Sequence, residues 1–215
     1  MVRRKVSAGR QLSADTLDDL HDTAWPNRIR ASRMPPQSRS PVVVVPYDPE
    51  WARVFEGLRH VYLDALGELV VAVEHVGSTA VPGLLAKPII DIDLVIQSRD
   101  DLPRLTSQLA ALGYRHVGDL GVPGREAFAR DGADDVPRDG SGRQWPAHHL
   151  YACASGSKEL HRHLAFRDWL RSNPEVAVEY GKLKERLADL YRHDWDAYTD
   201  EKTGFIEAIL AKAST

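Results

Sequence analysis

The sequence predicts an α+β fold, in which helices pack on a mixed β-sheet and the C-terminal portion is helical. Two observations predict it. The apolar residues recur first with helical spacing, then in strand-like runs, and again with helical spacing near the end of the chain. The resulting order of helix, two strands, helix, several strands and further helices is typical of helices packed on one sheet. With 215 residues, 43% of them hydrophobic, the chain is long enough for one large domain with a substantial core.

The first half of this domain begins with a well-marked helix. Asp48-Pro49-Glu50 combines an N-cap residue, a proline suited to the first helical position and an acid in the first turn. Apolar residues follow at three- and four-residue spacing at Trp51, Phe55, Leu58, Tyr62 and Leu66. Residues 69–73 and 89–96 are strand candidates, and 101–112 is a second amphipathic helix that Gly113 should terminate.

The second half changes from strands to helices. Residues 131–144 should form a loop, because they are rich in Gly, Asp and Arg. The strand candidates around this loop are residues 114–117, 126–130 and 147–154. The helices that follow are predicted at residues 157–171, 173–191 and 200–212. Asn173-Pro174-Glu175 opens the second of them in the same way as Asp48-Pro49-Glu50 opens the first helix of the chain.

The N-terminal segment differs in composition from the rest. Residues 28–41 mix Arg, Ser and Pro with little to bury, so residues 1–40 are expected to be a flexible extension and 41–215 the folded domain. Residues 1–40 carry eight Lys or Arg and four Asp, which leaves a basic arm that reaches a partner as the alternative.

Composition also excludes several classes of protein. A net charge of −3, without a basic stripe or a helix-turn-helix pattern, argues against nucleic-acid binding. Cys153 is the single cysteine, so an intramolecular disulfide and a Cys-rich zinc site are excluded, and a reducing cytoplasm is the expected compartment. No apolar run approaches the ~18 residues of a membrane span.

The clearest candidates for binding or catalytic residues lie in residues 74–96, EHVGSTAVPGLLAKPIIDIDLVI, where two aspartates interrupt an apolar run. Side chains two apart in a strand share a face, so Asp91 and Asp93 point to one side with Cα atoms about 7 Å apart. Burying two like charges without partners costs several kcal/mol, which favours a cation between them. Mg²⁺ or Mn²⁺ would suit these oxygen ligands. The alternative is a pair at the sheet edge, solvated or bonded to Arg.

The segment before the aspartates has the character of a phosphate-binding turn. Gly77 can adopt a positive φ or let a phosphate approach the backbone, and the Ser78 hydroxyl and the following amides, beginning with Thr79, could contact an anion. Lys87 could neutralise a phosphate or pair with an aspartate. A plain turn is the alternative. Together, a strand, a Gly-Ser turn and a strand with Asp-x-Asp are the parts of a nucleotidyltransferase site, in order.

The stretch HVGSTAVPGLLAKPIIDIDLVI closely resembles the signature of the GrpB family, which is grouped with the nucleotidyltransferase-fold superfamily. The resemblance covers roughly residues 42–210 and continues in GREAFAR (124–130), HHLY (148–151), HLAFRDWLRSNPEVAVEYGKLKERLA (163–188) and YTDEKTGFI (198–206). It implies a nucleotidyltransferase-like mixed sheet. GrpB-like domains also occur fused to dephospho-CoA kinases, where a folding-accessory or regulatory role has been proposed.

The resemblance also identifies a departure and two further candidates. Active nucleotidyltransferases place a third carboxylate on a later strand, where this sequence offers His148 and His149. We favour His149 as the residue that faces the aspartates, either as a ligand of Mn²⁺ or as a general base. Arg125 could clamp a phosphate. Lys184 could contact a triphosphate, as helical lysines of nucleotidyltransferases do. A surface role is the alternative for both cations.

We therefore expect a metal-dependent nucleotidyltransferase. An NTP with Mg²⁺ or Mn²⁺ would bind at Gly77, Ser78, Asp91 and Asp93, and a small-molecule acceptor would attack the α-phosphorus. The alternative is a non-catalytic domain that binds a nucleotide or another anion, or that assists a partner enzyme. For the enzyme, Asp93→Asn should preserve the melting temperature, whereas a structural carboxylate network should lose stability.

Overall fold

The computed structural model describes residues 41–213, so the predicted N-terminal extension lies outside the described residues. The helices and strands are, in chain order, α1 (Glu50–Leu66), β1 (Val70–Val76), β2 (Ile90–Ile96), α2 (Leu102–Ala111), β3 (Arg115–Gly118), β4 (Arg125–Ala129), β5 (His148–Ala154), α3 (Lys158–Ser172), α4 (Pro174–Leu190), α5 (Trp195–Asp200) and α6 (Thr203–Ala213). This architecture confirms the predicted α+β class.

The five strands form one mixed sheet in the order β1-β2-β5-β4-β3. The central pair, β2 and β5, is parallel, and the other neighbours are antiparallel. In the parallel pair Asp91 lies opposite His149, and Asp93 lies opposite Tyr151. This register places residues far apart in the sequence next to each other on one face of the sheet.

The opposite face of the sheet carries the main hydrophobic core. Helices α1 and α2 cover it, and the alternating residues Ile90, Ile92, Leu94 and Ile96 of β2 are buried against them. A polar chain runs through this layer, in which the Tyr114 hydroxyl lies 2.6 Å from the Tyr62 hydroxyl and 2.6 Å from Nε2 of His148. Burial lowers the pKa of His148 to about 3, so this imidazole is a neutral structural group at pH 7.

The face that bears the aspartates is covered by the C-terminal helices. Leu160 of α3 packs on Val95 and Cys153, and a separate cluster joins α3, α4 and the segment after β1 through Leu170, Ala177, Tyr180, Val81 and Leu84. A polar strand face beneath packed helices must find internal partners for its charges. Those partners define the candidate site.

The predicted element boundaries lie within about three residues of the observed ones, and the largest shifts are the end of β1 at Val76 and the start of α6 at Thr203. α1 begins at Glu50 rather than at Pro49, and Asp48 Oδ1 accepts a hydrogen bond of 2.9 Å from the Glu50 amide. The short helix α5 was not predicted, because six residues give too little apolar periodicity; the Asp194 side chain caps it by accepting from the Ala197 amide at 2.9 Å. In residues 41–213, no helix combines the length and apolar character needed to cross a membrane.

Candidate functional site

The Gly-Ser turn follows directly on β1 and lies against the first aspartate. Gly77 has φ +69°, and Val76 pairs with Asp91 across the sheet. A Cβ atom at Gly77 would lie 2.2 Å from Oδ2 of Asp91, far inside van der Waals contact. Both the backbone conformation and the close approach therefore require glycine here.

A matched pair of substitutions tests this close approach. Gly77→Ala should destabilise the fold and displace the Asp91 carboxylate. Gly83→Ala is the control, because Gly83 also has positive φ, at +79°, but a Cβ there meets nothing within 4 Å. We expect Gly77→Ala to lose at least about 1 kcal/mol more unfolding free energy than Gly83→Ala in urea denaturation. Equal losses would show that positive φ alone explains the glycine.

Asp91 is the partly accessible carboxylate of the site, with 30% of its side chain exposed. Its Oδ1 accepts a hydrogen bond of 2.8 Å from Nδ1 of His149, the strand neighbour predicted to face it. Burial alone would raise the pKa of Asp91, but the His149 hydrogen bond and the charges of His149, Lys87 and His163 outweigh burial and lower it. Asp91 is therefore ionised at neutral pH.

Asp93 is 0% exposed and has an internal cation as its partner. Its Oδ2 accepts a hydrogen bond of 2.6 Å from Nδ1 of His163, whose Nε2 lies 3.2 Å from Oε1 of Glu159. Burial would lower the pKa of His163, but the two carboxylates more than compensate and raise it to about 9. His163 is thus an imidazolium held between two acids. The Asp93 Oδ1 atom is buried without a hydrogen-bond partner among the described residues.

His163 is a site residue that the sequence reasoning missed. His161 and His163 are spaced by two on a helix and therefore diverge, so the sequence gives no sign of a chelating pair there. The partner of His163 is Asp93, which lies 70 residues earlier and on a strand. A local signal was present: Glu159 and His163 are four apart, the spacing at which helical side chains meet.

The two aspartates in this arrangement do not fit a two-metal centre. A metal ion at Asp93 would lie beside the His163 imidazolium, whose positive charge opposes it, and Asp91 already has one oxygen bonded to His149. Across residues 41–213, there is no group of three or more His, Cys, Asp or Glu side chains placed to hold a metal ion. The carboxylate of Glu74, three residues before Gly77, is bonded at 2.7 Å to Nη1 of Arg167.

Three lysines from separate segments gather on the other side of Asp91. Lys87 Nζ lies 4.0 Å from the centroid of the Trp195 ring and 5.1 Å from that of Tyr198. Lys202 Nζ lies 4.3 Å from the same Tyr198 ring. Lys184 donates a hydrogen bond to the Leu85 carbonyl. We call Lys87, Lys184 and Lys202 the lysine cluster.

The lysine cluster has more positive charge than its surroundings balance. No salt bridge within residues 41–213 joins any of the three to a carboxylate. Burial lowers the pKa of Lys87 to about 8, and burial with repulsion from its neighbours lowers that of Lys202 to about 7 and that of Lys184 to about 6. Asp91 is the acid that partly offsets these shifts. An added anion would relieve the repulsion.

The remaining predicted residues divide between this site and other places. Ser78 is partly exposed and forms a hydrogen bond with the hydroxyl of Tyr180. The negative charge of Asp91 helps to raise the pKa of that hydroxyl. The Thr79 hydroxyl is buried and bonded to Nε2 of His75 at 3.0 Å and to the Ile89 carbonyl at 3.2 Å, so only its backbone could contact a ligand. Arg125 stacks over the Tyr151 ring at 4.3 Å.

The structure therefore separates Arg125 from the lysine cluster. Arg125 of β4 lies opposite Cys153 of β5, and Cys153 lies opposite Val95 of β2. Val95 is four residues further along β2 than Asp91. Six of the predicted residues do come together in the structure: Gly77, Ser78, Lys87, Asp91, His149 and Lys184. Lys202 joins them, although it was noted in the sequence only as part of a family-like motif.

Comparison with known proteins identifies the family. Residues 41–212 match the model of the family described as GrpB protein. The Glutamate-rich protein GrpB of Alkalihalophilus pseudofirmus is 31% identical over 175 residues, which cover 80% of this chain and 96% of that protein. A dephospho-CoA kinase of Mycolicibacterium paratuberculosis is 28% identical over 180 residues, but the match covers only 44% of that enzyme.

A solved structure gives the same result. The crystal structure of conserved protein GrpB from Enterococcus faecalis aligns with a TM-score of 0.66 at 34% sequence identity, covering 80% of this chain and 96% of that one. Because the family match extends over residues 41–212 and both GrpB proteins align along nearly their whole length, this chain belongs to the GrpB family.

Proposed function

We propose that this protein binds a nucleoside triphosphate, with its phosphates between the Gly77-Ser78 turn and the lysine cluster. One observation carries the proposal: three lysine side chains, none in a salt bridge with a carboxylate of the described residues, gather beside a glycine turn and next to Asp91. Like charges are brought together in a folded protein when an anion of matching charge binds there.

A phosphate chain matches this site better than a single anion. Lys87 and Lys202 lie over opposite parts of an aromatic layer formed by Trp195 and Tyr198, while Lys184 comes from α4. Ammonium groups spread over several segments contact several phosphates at once, and Ser78 with its neighbouring amides can hold one end of the chain.

Thermal-shift measurements with ATP, GTP, CTP and UTP test the proposal. Ligand present at about 100 times its Kd stabilises the folded state by about 2.7 kcal/mol, which corresponds to a shift of several degrees. The control ligands are the nucleosides, which lack phosphates, and sodium sulfate at the same ionic strength. No shift with any nucleotide, or an equal shift with sulfate, would contradict nucleotide binding.

The pH dependence of binding should have a definite sign. In the free protein the pKa values of Lys184 and Lys202 lie at about 6 and 7, so both are mostly uncharged at pH 7.5. A bound phosphate raises these values, so binding should take up protons and tighten as the pH falls from 8.5 to 6.5. Calorimetric titrations in two buffers with different ionisation enthalpies measure this uptake. Proton release on binding would contradict it.

Nucleotidyl transfer is the second candidate function, favoured by the position of the Asp91–His149 pair beside the lysine cluster. An acceptor hydroxyl would attack the α-phosphorus, the bond to the β-phosphate oxygen would break, and pyrophosphate would leave. His149 would accept the hydroxyl proton. The Mg²⁺ or Mn²⁺ predicted for this reaction would be held by the aspartates, next to the His163 side chain bonded to Asp93. A screen of small-molecule acceptors with labelled NTP tests the transfer, with Asp91→Asn as the inactive control.

Assistance to a partner enzyme is the function that remains if no nucleotide binds. The dephospho-CoA kinases whose sequences match this chain over less than half of their own length are the natural class of partner to examine.

A further inference from the structure

The carboxylates at which a nucleotidyltransferase-like site would hold divalent metal are bonded here to side chains of the protein itself. Nδ1 of His163 lies 2.6 Å from Oδ2 of Asp93, and Nδ1 of His149 lies 2.8 Å from Oδ1 of Asp91. The lysine cluster then provides positive charge on the side where the phosphates would lie.

His163 is held firmly, because the helix that carries it is fastened over the site. Arg167 of α3 donates to Glu74 at 2.7 Å and to the His75 carbonyl at 3.1 Å, and Arg171 donates to the Ala80 carbonyl at 2.9 Å. These bonds join α3 to β1 and to the segment just after the Gly77 turn. Moving α3 away from the sheet would therefore require breaking several charge-assisted hydrogen bonds at once.

We propose that this site binds its oligophosphate free of divalent metal, with the lysine cluster providing the counter-charge that a metal ion supplies elsewhere. The ligand class is thus a free nucleoside di- or triphosphate or an inorganic oligophosphate. The inference rests on the proposed function, since it concerns the form in which the phosphates bind.

Charge matching supports the metal-free form. A magnesium ion removes about two negative charges from a triphosphate, and with them much of its attraction to the three lysine side chains. Protein sites usually add one or two carboxylates to such an ion, and here the Asp93 carboxylate is buried beneath α3. Asp91, whose charge acts on all three lysines, has its repulsion of phosphate reduced by the hydrogen bond from His149.

Calorimetric titration of the full chain with ATP, once in EDTA and once in excess Mg²⁺, tests the inference. We expect binding in EDTA, and an affinity at least about fivefold weaker in Mg²⁺. Tighter binding in Mg²⁺, or binding only in Mg²⁺, would overturn the inference and leave nucleotide binding intact. An absence of binding in both buffers would instead overturn the proposed function, so the two failures are distinguishable.

Titrations with a second ligand and with lysine variants complete the experiment. Inorganic tripolyphosphate should bind in EDTA as well, and equal affinities for it and ATP would assign recognition to the phosphate chain. Lys87→Met and Lys202→Met should each weaken binding in EDTA about tenfold or more. Lys182→Met is the control, because Lys182 is exposed on α4. Equal effects of all three substitutions would overturn the assignment to the lysine cluster.

Discussion

Replacing Lys184 with methionine is expected to abolish most of the affinity for nucleoside triphosphates while leaving the fold at least as stable. Lys184 is 2% exposed, and its ammonium form is disfavoured by burial and by the charges of Lys202 and Lys87. Methionine fills a similar volume without the charge. The loss of a charge-assisted contact to phosphate should weaken binding by about 10- to 100-fold.

The effect of Lys184→Met on the free energy of unfolding should depend on pH in a defined direction. The pKa of Lys184 falls from its unfolded value of 10.5 to about 6 on folding, so the unfolded chain binds more protons between these values. The wild-type protein therefore loses stability as the pH falls through this range, and Lys184→Met loses less of it, because Lys87 and Lys202 keep lowered pKa values in the variant. The stability advantage of the variant should be larger at pH 7 than at pH 10. A large loss of stability, or unchanged affinity, would contradict the assignment.

The largest loss of stability is expected from His163→Leu. The substitution leaves the Asp93 carboxylate, which is 0% exposed, without its cation. Removing one partner of a buried ion pair costs about 3–5 kcal/mol. His161→Leu is the matched control, because His161 is exposed on the same helix. Urea denaturation of the two variants should differ by most of this amount, and a difference below about 1 kcal/mol would show that Asp93 does not depend on His163.

The Asp93–His163 ion pair should also make the stability of the protein depend on pH. Because folding raises the pKa of His163 to about 9 from 6.5, its contribution is fully present below pH 6.5 and is lost as the pH rises through 9. The wild-type protein should therefore lose unfolding free energy between pH 6.5 and 9 more steeply than His163→Gln does. Parallel curves for the two proteins would exclude this titration.

This network changes one expectation for the aspartates. The sequence alone suggested that Asp93→Asn would preserve the melting temperature if the pair were catalytic, because two like charges would cease to repel. In the structure Asp93 faces His163 and is the partner of a buried cation. Asp93→Asn should therefore lower the melting temperature, whereas Asp91, with 30% of its side chain exposed, should tolerate asparagine better.

The parts of the fold that depend on local patterns could be predicted from the sequence. The alternation in residues 89–96 correctly assigned the apolar face of β2 to the core and the aspartates to the opposite face. The same alternation put only one of His148 and His149 on the face of the aspartates, and the register of β5 against β2 makes it the favoured His149, which lies against Asp91. Within one strand, a single period fixes which side chains share a face.

Contacts between distant segments could not be predicted in the same way. His163 meets Asp93 only because α3 crosses the sheet, and Lys202 meets Lys87 only because the chain returns after α4. Neither contact has a periodic signal. The sequence therefore indicated a phosphate site and its turn, but it did not show that an internal imidazolium occupies the second aspartate or that a third lysine completes the cluster.

A crystal structure of the full chain with ATP in EDTA tests the central claim most directly. The account predicts phosphate density within hydrogen-bonding distance of the Nζ atoms of Lys87, Lys184 and Lys202, with one phosphate against the backbone at Gly77 and Ser78 and with His163 still bonded to Asp93. Triphosphate bound elsewhere, for example at Arg125, or His163 displaced from Asp93 by a metal ion, would contradict the account.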